Sequence, residues 1–249
     1  MVWVVAAIGA LLALSHAAPF PFLLDAASAD RVIWRMPKRG TPPAMYLTFD
    51  DGPNPVSTPP VLDVLAAQGG RATFFLIEKY VTEETAPIVR RMFDEGHGVA
   101  LHSDNRWLMA NPPGVVSQRL TAFADHIEQL TGSRPCRAFR PHAGVRSRGL
   151  LDGLGRIDHQ MIGWGFMGWD WNWFRKPTAD ALVPRFVKRA KDGFIIVVHD
   201  SHSHDPTRPR EYAAQTAARL VPALHARGFE LRTICDDLPA PVPAKGRTD

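Results

Sequence analysis

Cysteine is scarce: the 249 residues include only two, Cys136 and Cys235. Neither lies in a CxxC motif, which argues against a thiolate zinc cluster or a CxxC redox pair. Two independent buried thiols are the simpler expectation, and one disulfide is the alternative if the chain is exported. No run of Lys or Arg occurs, and aromatics do not interleave with basic residues, so nucleic acid is not an expected partner. No Gly-rich phosphate loop of either standard kind is present. No repeat of 20–50 residues, low-complexity tract or internal linker divides the chain. What is there reads as globular: 45% hydrophobic and 22% charged residues, over a length that suits one α/β barrel or two small domains. Basic residues outnumber acidic ones, 29 against 25, giving +4. That mild basicity suits an anionic wall or membrane surface without requiring one.

Residues 1–24 differ from the rest. Val2 to Leu14 is apolar without interruption, no Lys or Arg precedes it, and the small-residue stretch Ser15-His16-Ala17 follows. The run is short for a membrane span, and Pro19 to Leu24 is apolar again. The expectation is a signal peptide or an N-terminal membrane anchor, and so a secreted or envelope protein. A buried core helix fits less well, because Trp3, Val4, Val5, Ile8, Leu11 and Leu12 cover every face.

Residues 40–238 alternate short apolar runs with longer amphipathic ones. Strands are predicted at Ala44–Phe49, Ala72–Ile77, Val99–Leu101, Ala138–Phe139, Met161–Trp164, Phe194–Val198 and Glu230–Ile234. Helices are predicted from Thr58 to Gly69-Gly70, at Thr82–Glu95, and near Val115–Leu130, Ser147–Ile157, Thr178–Lys191 and Glu211–Arg227. Strands separated by helices run parallel, and about seven such units suggest a distorted, closed or nearly closed (β/α) barrel. An open doubly wound sheet is the alternative. Residues 239–249 read as a flexible tail.

In parallel α/β folds chemistry gathers at the carboxyl ends of the strands, and the unusual polar residues fall there. Asp50-Asp51 follow the first strand, His102 the third, Arg140 the fourth, Trp169-Asp170 the fifth and His199-Asp200 the sixth. Adjacent carboxylates repel, so Asp50-Asp51 call for a compensating charge, which a divalent cation supplies while activating water. Asp-Gly-Pro is also ordinary turn chemistry. A neutral imidazole at His102 with Asp51 makes half of a zinc site. His199 at a rim suits a proton donor, and Arg140 can pair with a carboxylate and hold it. The stretch from Trp164 to Phe174 holds four of the seven tryptophans, more than packing one strand end requires. An aromatic carbohydrate surface at Trp169, Trp171 and Trp173 follows.

Thr48-Phe49-Asp50-Asp51-Gly52-Pro53 resembles the first motif of the polysaccharide deacetylase family, the NodB-like carbohydrate esterases. His102-Ser103, Phe139-Arg140-Pro141, Trp169-Asp170-Trp171 and Ile195-Ile196-Val197-Val198-His199 resemble the motifs that follow, over Ala44 to Cys235. The resemblance implies a NodB-like barrel that hydrolyses acetyl groups, more often N-acetyl, from a glycan. It implies Asp50 as general base braced by Arg140, His199 as general acid beside Asp170, and an oxyanion donor at the Ala143 backbone N–H. It also implies a divalent metal, zinc in first place, at Asp51 and His102.

Two positions depart from the family. Arg106 stands where the second motif carries another His, and arginine cannot ligate a cation. His142 and Ala143 stand where the third motif carries Pro and an aromatic. Three arrangements remain open: His142 replaces the lost ligand, the metal keeps Asp51, His102 and waters, or Arg106 supplies the charge at a metal-free or inactive site. His202 and His204 read as loop residues. A non-catalytic glycan-binding protein on the same fold is the second functional reading, and a metal-dependent phosphoesterase a weaker third.

Overall fold

A computed structural model describes residues 2–170 and 177–240. The strands are β1 Val32–Ile33, β2 Ala44–Gly52, β3 Thr73–Ile77, β4 Gly98–His102, β5 Ala138–Arg140, β6 Gln160–Ile162, β7 Phe166–Met167, β8 Phe194–His199 and β9 Glu230–Leu231. The α-helices are α1 Val2–Ala17, α2 Leu23–Ala26, α3 Thr58–Ala67, α4 Ala86–Asp94, α5 Pro113–Thr131, α6 Arg148–Arg156, α7 Ala179–Arg189, α8 Glu211–His225 and α9 Ile234–Asp237.

All strand pairs are parallel, in the order β1-β6-β5-β4-β3-β2-β8-β7, with β9 pairing the first residues of β2. Among the described residues β1 and β7 do not pair with each other, so the curled barrel is open between them. Alternation along the strands sorts the apolar side chains into two sets. Leu47, Phe49, Phe74, Leu76, Val99, Leu101 and Phe139 join the helices in the larger core. Tyr46, Phe75, Ala100, Ala138, Ile162 and Ile195 fill the other face with Met36 and Ile234. Strands covered on both faces need no polar side, which is why Phe194 to Val198 is unbroken.

The register positions the site. Asp50 of β2 pairs with His199 of β8, and His102 of β4 pairs with Arg140 of β5. Four motif residues therefore meet at the carboxyl ends of neighbouring strands.

The predicted helices and central strands are present with ends shifted by a few residues. Two-residue strands β1 and β7 were not anticipated, being too short to show periodicity. Of the expected strand Glu230–Ile234 only Glu230–Leu231 forms, because the Thr233 side chain caps α9 by accepting from the Asp236 N–H. The expectation of independent thiols is overturned: Cys136 and Cys235 form a disulfide across 99 residues, joining the approach to β5 with α9. Residues 241–249 of the expected tail, and Trp171 and Trp173, lie outside the described residues.

Candidate active site

Asp50 and Arg140 form a buried ion pair, with Nη1 donating to Oδ1 at 2.5 Å. Every guanidinium nitrogen is used. Nη1 also donates to the Thr48 hydroxyl (2.8 Å), Nη2 to the Gly163 carbonyl (3.0 Å) and Nε to the Ile162 carbonyl (3.3 Å). The group lies 3.9 Å from the centre of the Phe75 ring. A planar donor fork held on all sides fixes the carboxylate it grips.

Asp51, His102 and His142 bring one ligand atom each to within 4.8 Å of one another. His102 Nδ1 lies 2.6 Å from the Arg140 carbonyl, which can only accept. A proton therefore sits on Nδ1, and Nε2 faces Asp51 Oδ1, 3.3 Å away. That oxygen is buried and has no hydrogen-bond partner among the described residues. Either a cation between them or a second proton on Nε2 satisfies both atoms; burial opposes that proton, but Asp51 and Asp50 outweigh it and raise the His102 pKa. Burial pushes the Asp51 carboxyl up, but a hydrogen bond from the protonated His102 ring, with the charge of His199, outweighs this and holds it well below the usual carboxylate range. Burial, with the charges of His102 and Arg106, pushes His142 down to about 4. It is neutral at working pH, the state a metal ligand needs. Its backbone N–H donates to the Ser103 hydroxyl at 2.7 Å. Arg106 opens the turn Arg106–Ala110, and its side chain is exposed rather than enclosed among these ligands.

On the other side of Asp50, His199 Nδ1 is 3.0 Å from Asp170 Oδ1, and the His199 backbone N–H donates to Oδ2 at 2.6 Å. Burial opposes the charged ring, yet Asp170, then Asp51 and Asp50, raise His199 to about 9. It is an imidazolium at neutral pH. The Tyr212 hydroxyl accepts from Arg210 Nη1 at 2.7 Å and lies 3.0 Å from the His199 carbonyl and 3.2 Å from Asp170 Oδ2. Asp200 is fully buried and accepts from the Thr58 hydroxyl at 2.5 Å, while its Oδ1 has no partner among the described residues. Burial, with the charges of Asp51 and Asp50, pushes its carboxyl up to about 7 against the Thr58 bond.

Ala143 is exposed in the left-handed turn His142–Gly144, at φ 54°. Trp169 is half exposed and also left-handed, at φ 60°. Trp164 instead packs edge-on to Trp34 in the interior. The structure thus brings Asp50, Asp51, His102, Arg140, His142, Asp170 and His199 to one end of the barrel. Sequence reasoning gave no role in the site to Asp200, Arg210 or Tyr212, and read Thr58 as a helix cap, whereas Ser57 holds that position and Thr58 donates to Asp200. Polar side chains buried by tertiary contact leave no period in the sequence; the only signal was Asp200, next to His199 at a strand end.

Residues 38–162 match the family profile described as polysaccharide deacetylase. A chitooligosaccharide deacetylase of Sinorhizobium fredii is 34% identical over 206 residues, 80% of this chain and 94% of that protein. A peptidoglycan-N-acetylglucosamine deacetylase of Bacillus cereus is 25% identical over 205 residues, 82% of this chain and 92% of that protein. Among solved structures, a family 4 acetyl xylan esterase from Clostridium thermocellum, in complex with a cobalt ion, superposes with a TM-score of 0.67. It is 30% identical, over 78% of this chain and 89% of that one. Motifs, barrel and relatives agree: the chain belongs to the polysaccharide deacetylase family and is a hydrolase of that type.

Proposed function

We propose that the chain removes acetyl groups from an acetylated glycan by cutting an N-acetyl amide, with Asp50 as base and His199 as acid. One observation carries this reading: Asp50, fixed by Arg140, and His199, charged by Asp170, are register partners on neighbouring strands. A held carboxylate beside a held imidazolium can take a proton from water and give one to a leaving group. Arg140 grips Oδ1 of Asp50, which leaves Oδ2 to take the water's proton. The water oxygen bonds to the acetyl carbon, and the carbonyl oxygen becomes an oxyanion that accepts from the Ala143 N–H. The C–N bond then breaks as His199 protonates the nitrogen through Nε2, giving acetate and a free amine.

Asp51, His102 and His142 fit a divalent cation, since they offer one carboxylate and two imidazoles around an unsatisfied buried oxygen. That donor set suits zinc. When bound, the ion polarises the acetyl carbonyl and acidifies water. His142 thereby takes the place of the His that the family carries at position 106. Trp169, with Trp171 and Trp173 next in the chain, supplies the aromatic surface on which sugar rings stack. Residues 1–24 deliver the protein to the envelope or beyond, or hold it there.

The test is acetate release from acetylated chitooligosaccharides, peptidoglycan and acetylxylan, in added zinc and in chelator. Release that chelator abolishes is expected. Asp50→Asn should lower turnover by about 10²–10⁴ while glycan binding persists. Glycan binding with no release from any of the three would instead establish a non-catalytic binding protein.

A further inference from the structure

We propose that Arg146 and Asp25 form a clamp through which the segment ahead of the barrel positions the loop carrying His142 and Ala143. These are positioning residues, and the inference rests on the functional reading above. Arg146 follows His142 by four residues and is fully buried. Its Nε donates to Asp25 Oδ1 at 2.9 Å, and its Nη2 to Asp25 Oδ2 and to the Phe20 carbonyl (3.1 Å). Its Nη1 donates to the Ala18 carbonyl at 2.6 Å and the Gly144 carbonyl at 3.0 Å. Its backbone N–H donates to the His16 carbonyl at 2.8 Å. Only Gly144 among these acceptors belongs to the loop itself; the others lie between residues 16 and 25.

A second line of contact runs in parallel. Trp34 lies under the Arg146 guanidinium, 5.0 Å from it, and packs edge-on against Trp164 with centroids 5.6 Å apart. Trp164 closes on Gly144 so tightly that a Cβ there would sit 2.9 Å from its ring. The loop needs such support. Ala143 holds a left-handed conformation that is costly for a residue with a Cβ, and it persists only where the surroundings impose it. A guanidinium bonded bidentately to one carboxylate sets direction as well as distance. Removing Asp25 leaves a buried, uncompensated charge beside the loop. The stretch from Ala18 to Asp25, with Trp34, therefore supports the catalytic loop.

The test uses full-length Asp25→Asn and Arg146→Lys, with Arg31→Gln as control. Arg31 also ties this segment to the barrel, through an exposed 2.9 Å pair with Asp152 on α6, but does not touch the loop. Zinc affinity by competition with a chromophoric chelator, kcat, KM and amide exchange at Gly144 and Val145 are read well below each melting temperature. Both clamp variants should lose about 10–100-fold in zinc affinity and kcat, the usual cost of removing support behind a metal ligand. KM should change little, exchange at 144–145 should accelerate, and Arg31→Gln should match wild type throughout. If Arg146→Lys does not fold, Asp25→Asn, which keeps size and shape, decides alone. Wild-type zinc affinity, kcat and exchange in a folded clamp variant overturn the proposal, as does an equal loss in Arg31→Gln. A wild type that neither releases acetate nor binds zinc defeats the functional reading instead, and the exchange comparison still decides the clamp.

Discussion

Asp51, Ala143 and Trp169 all hold positive φ, at 72°, 54° and 60°, and all three stand at motif positions. Residues with a Cβ adopt that conformation at a cost, and such strain gathers where a site fixes a backbone for chemistry. None of it is visible in a sequence, where Asp51 reads as turn chemistry and Ala143 as a small loop residue. Asp50 and His199 were legible because each ends a buried apolar run; Asp25 and Arg146 were not, since an Asp beside an apolar stretch and an Arg in a loop read as solvated. Weighing the three arrangements at Arg106 also needed three dimensions: the arginine is exposed, and His142 brings a ring nitrogen within 4.8 Å of the ligand atoms of Asp51 and His102. His142→Ala should therefore weaken zinc binding by at least the roughly tenfold that even indirect support for a ligand costs, measured by chelator competition. An unchanged affinity would exclude His142 as a ligand. His199 must be protonated to act as acid, and its raised pKa keeps it so up to about 9. Activity should thus persist through neutral pH and fall as pH rises past about 9. In Asp170→Asn the fall should come at lower pH, because Asp170 is the main group holding the proton. The sign is the same for stability: a pKa raised above the ordinary value of about 6.5 stabilises the fold fully below that pH, and the contribution is lost as pH climbs through 9.

At the scale of elements, β2 does most of the positioning. It is buried along its whole length, pairs with β3, β8 and β9, and ends in Asp50-Asp51-Gly52. Its apolar run and the turn after it were plain in the sequence, as were the helices capped by Thr or Ser and ended by Gly. β1 and β7 were not, since two residues carry no period and their pairing depends on β6 and β8 already being in place. The disulfide was likewise beyond local reading, because 99 residues separate its ends. It ties the approach to β5, which carries Arg140 and leads into the His142 loop, to α9 at the end of the chain. Closing so long a loop restricts the unfolded ensemble, and losing such a bond typically costs about 2–5 kcal/mol. For a domain of this size that is a fall of roughly 5–20 °C in melting temperature. Calorimetry with and without reductant, alongside a Cys136→Ser/Cys235→Ser double variant, checks it. A reductant effect that persists in the double variant would place its origin elsewhere.

At the scale of the whole molecule, α1 stands apart from a well-packed barrel. Val2, Trp3, Val4, Val5, Ile8, Leu11, Leu12 and Leu14 are exposed, Trp3 by 86%, and burial begins only at Ser15. Sixteen helical residues span about 24 Å, short of the ~30 Å hydrocarbon core, and no helix among the described residues is long and apolar enough to cross a membrane. A helix apolar on every face is nonetheless costly in water and favourable in lipid. The net charge of +4 adds attraction to an anionic surface. The groups that hold the Arg146 guanidinium lie at residue 18 and beyond, and only the His16 carbonyl of α1 bonds the Arg146 backbone, so the apolar part of α1 can sit in lipid without loosening the guanidinium clamp. Flotation with anionic liposomes should carry the full chain and leave an Ile8→Lys/Leu11→Lys variant in solution, because each lysine costs about 3 kcal/mol in an apolar helix centre. The two proteins should hydrolyse a soluble acetylated oligosaccharide at the same rate. If the lysine variant floats as well, the membrane contact lies on the barrel rather than on α1. If it stays in solution but loses activity, α1 supports the site directly, and the stretch that supports the catalytic loop extends from Ala18 towards the start of the chain.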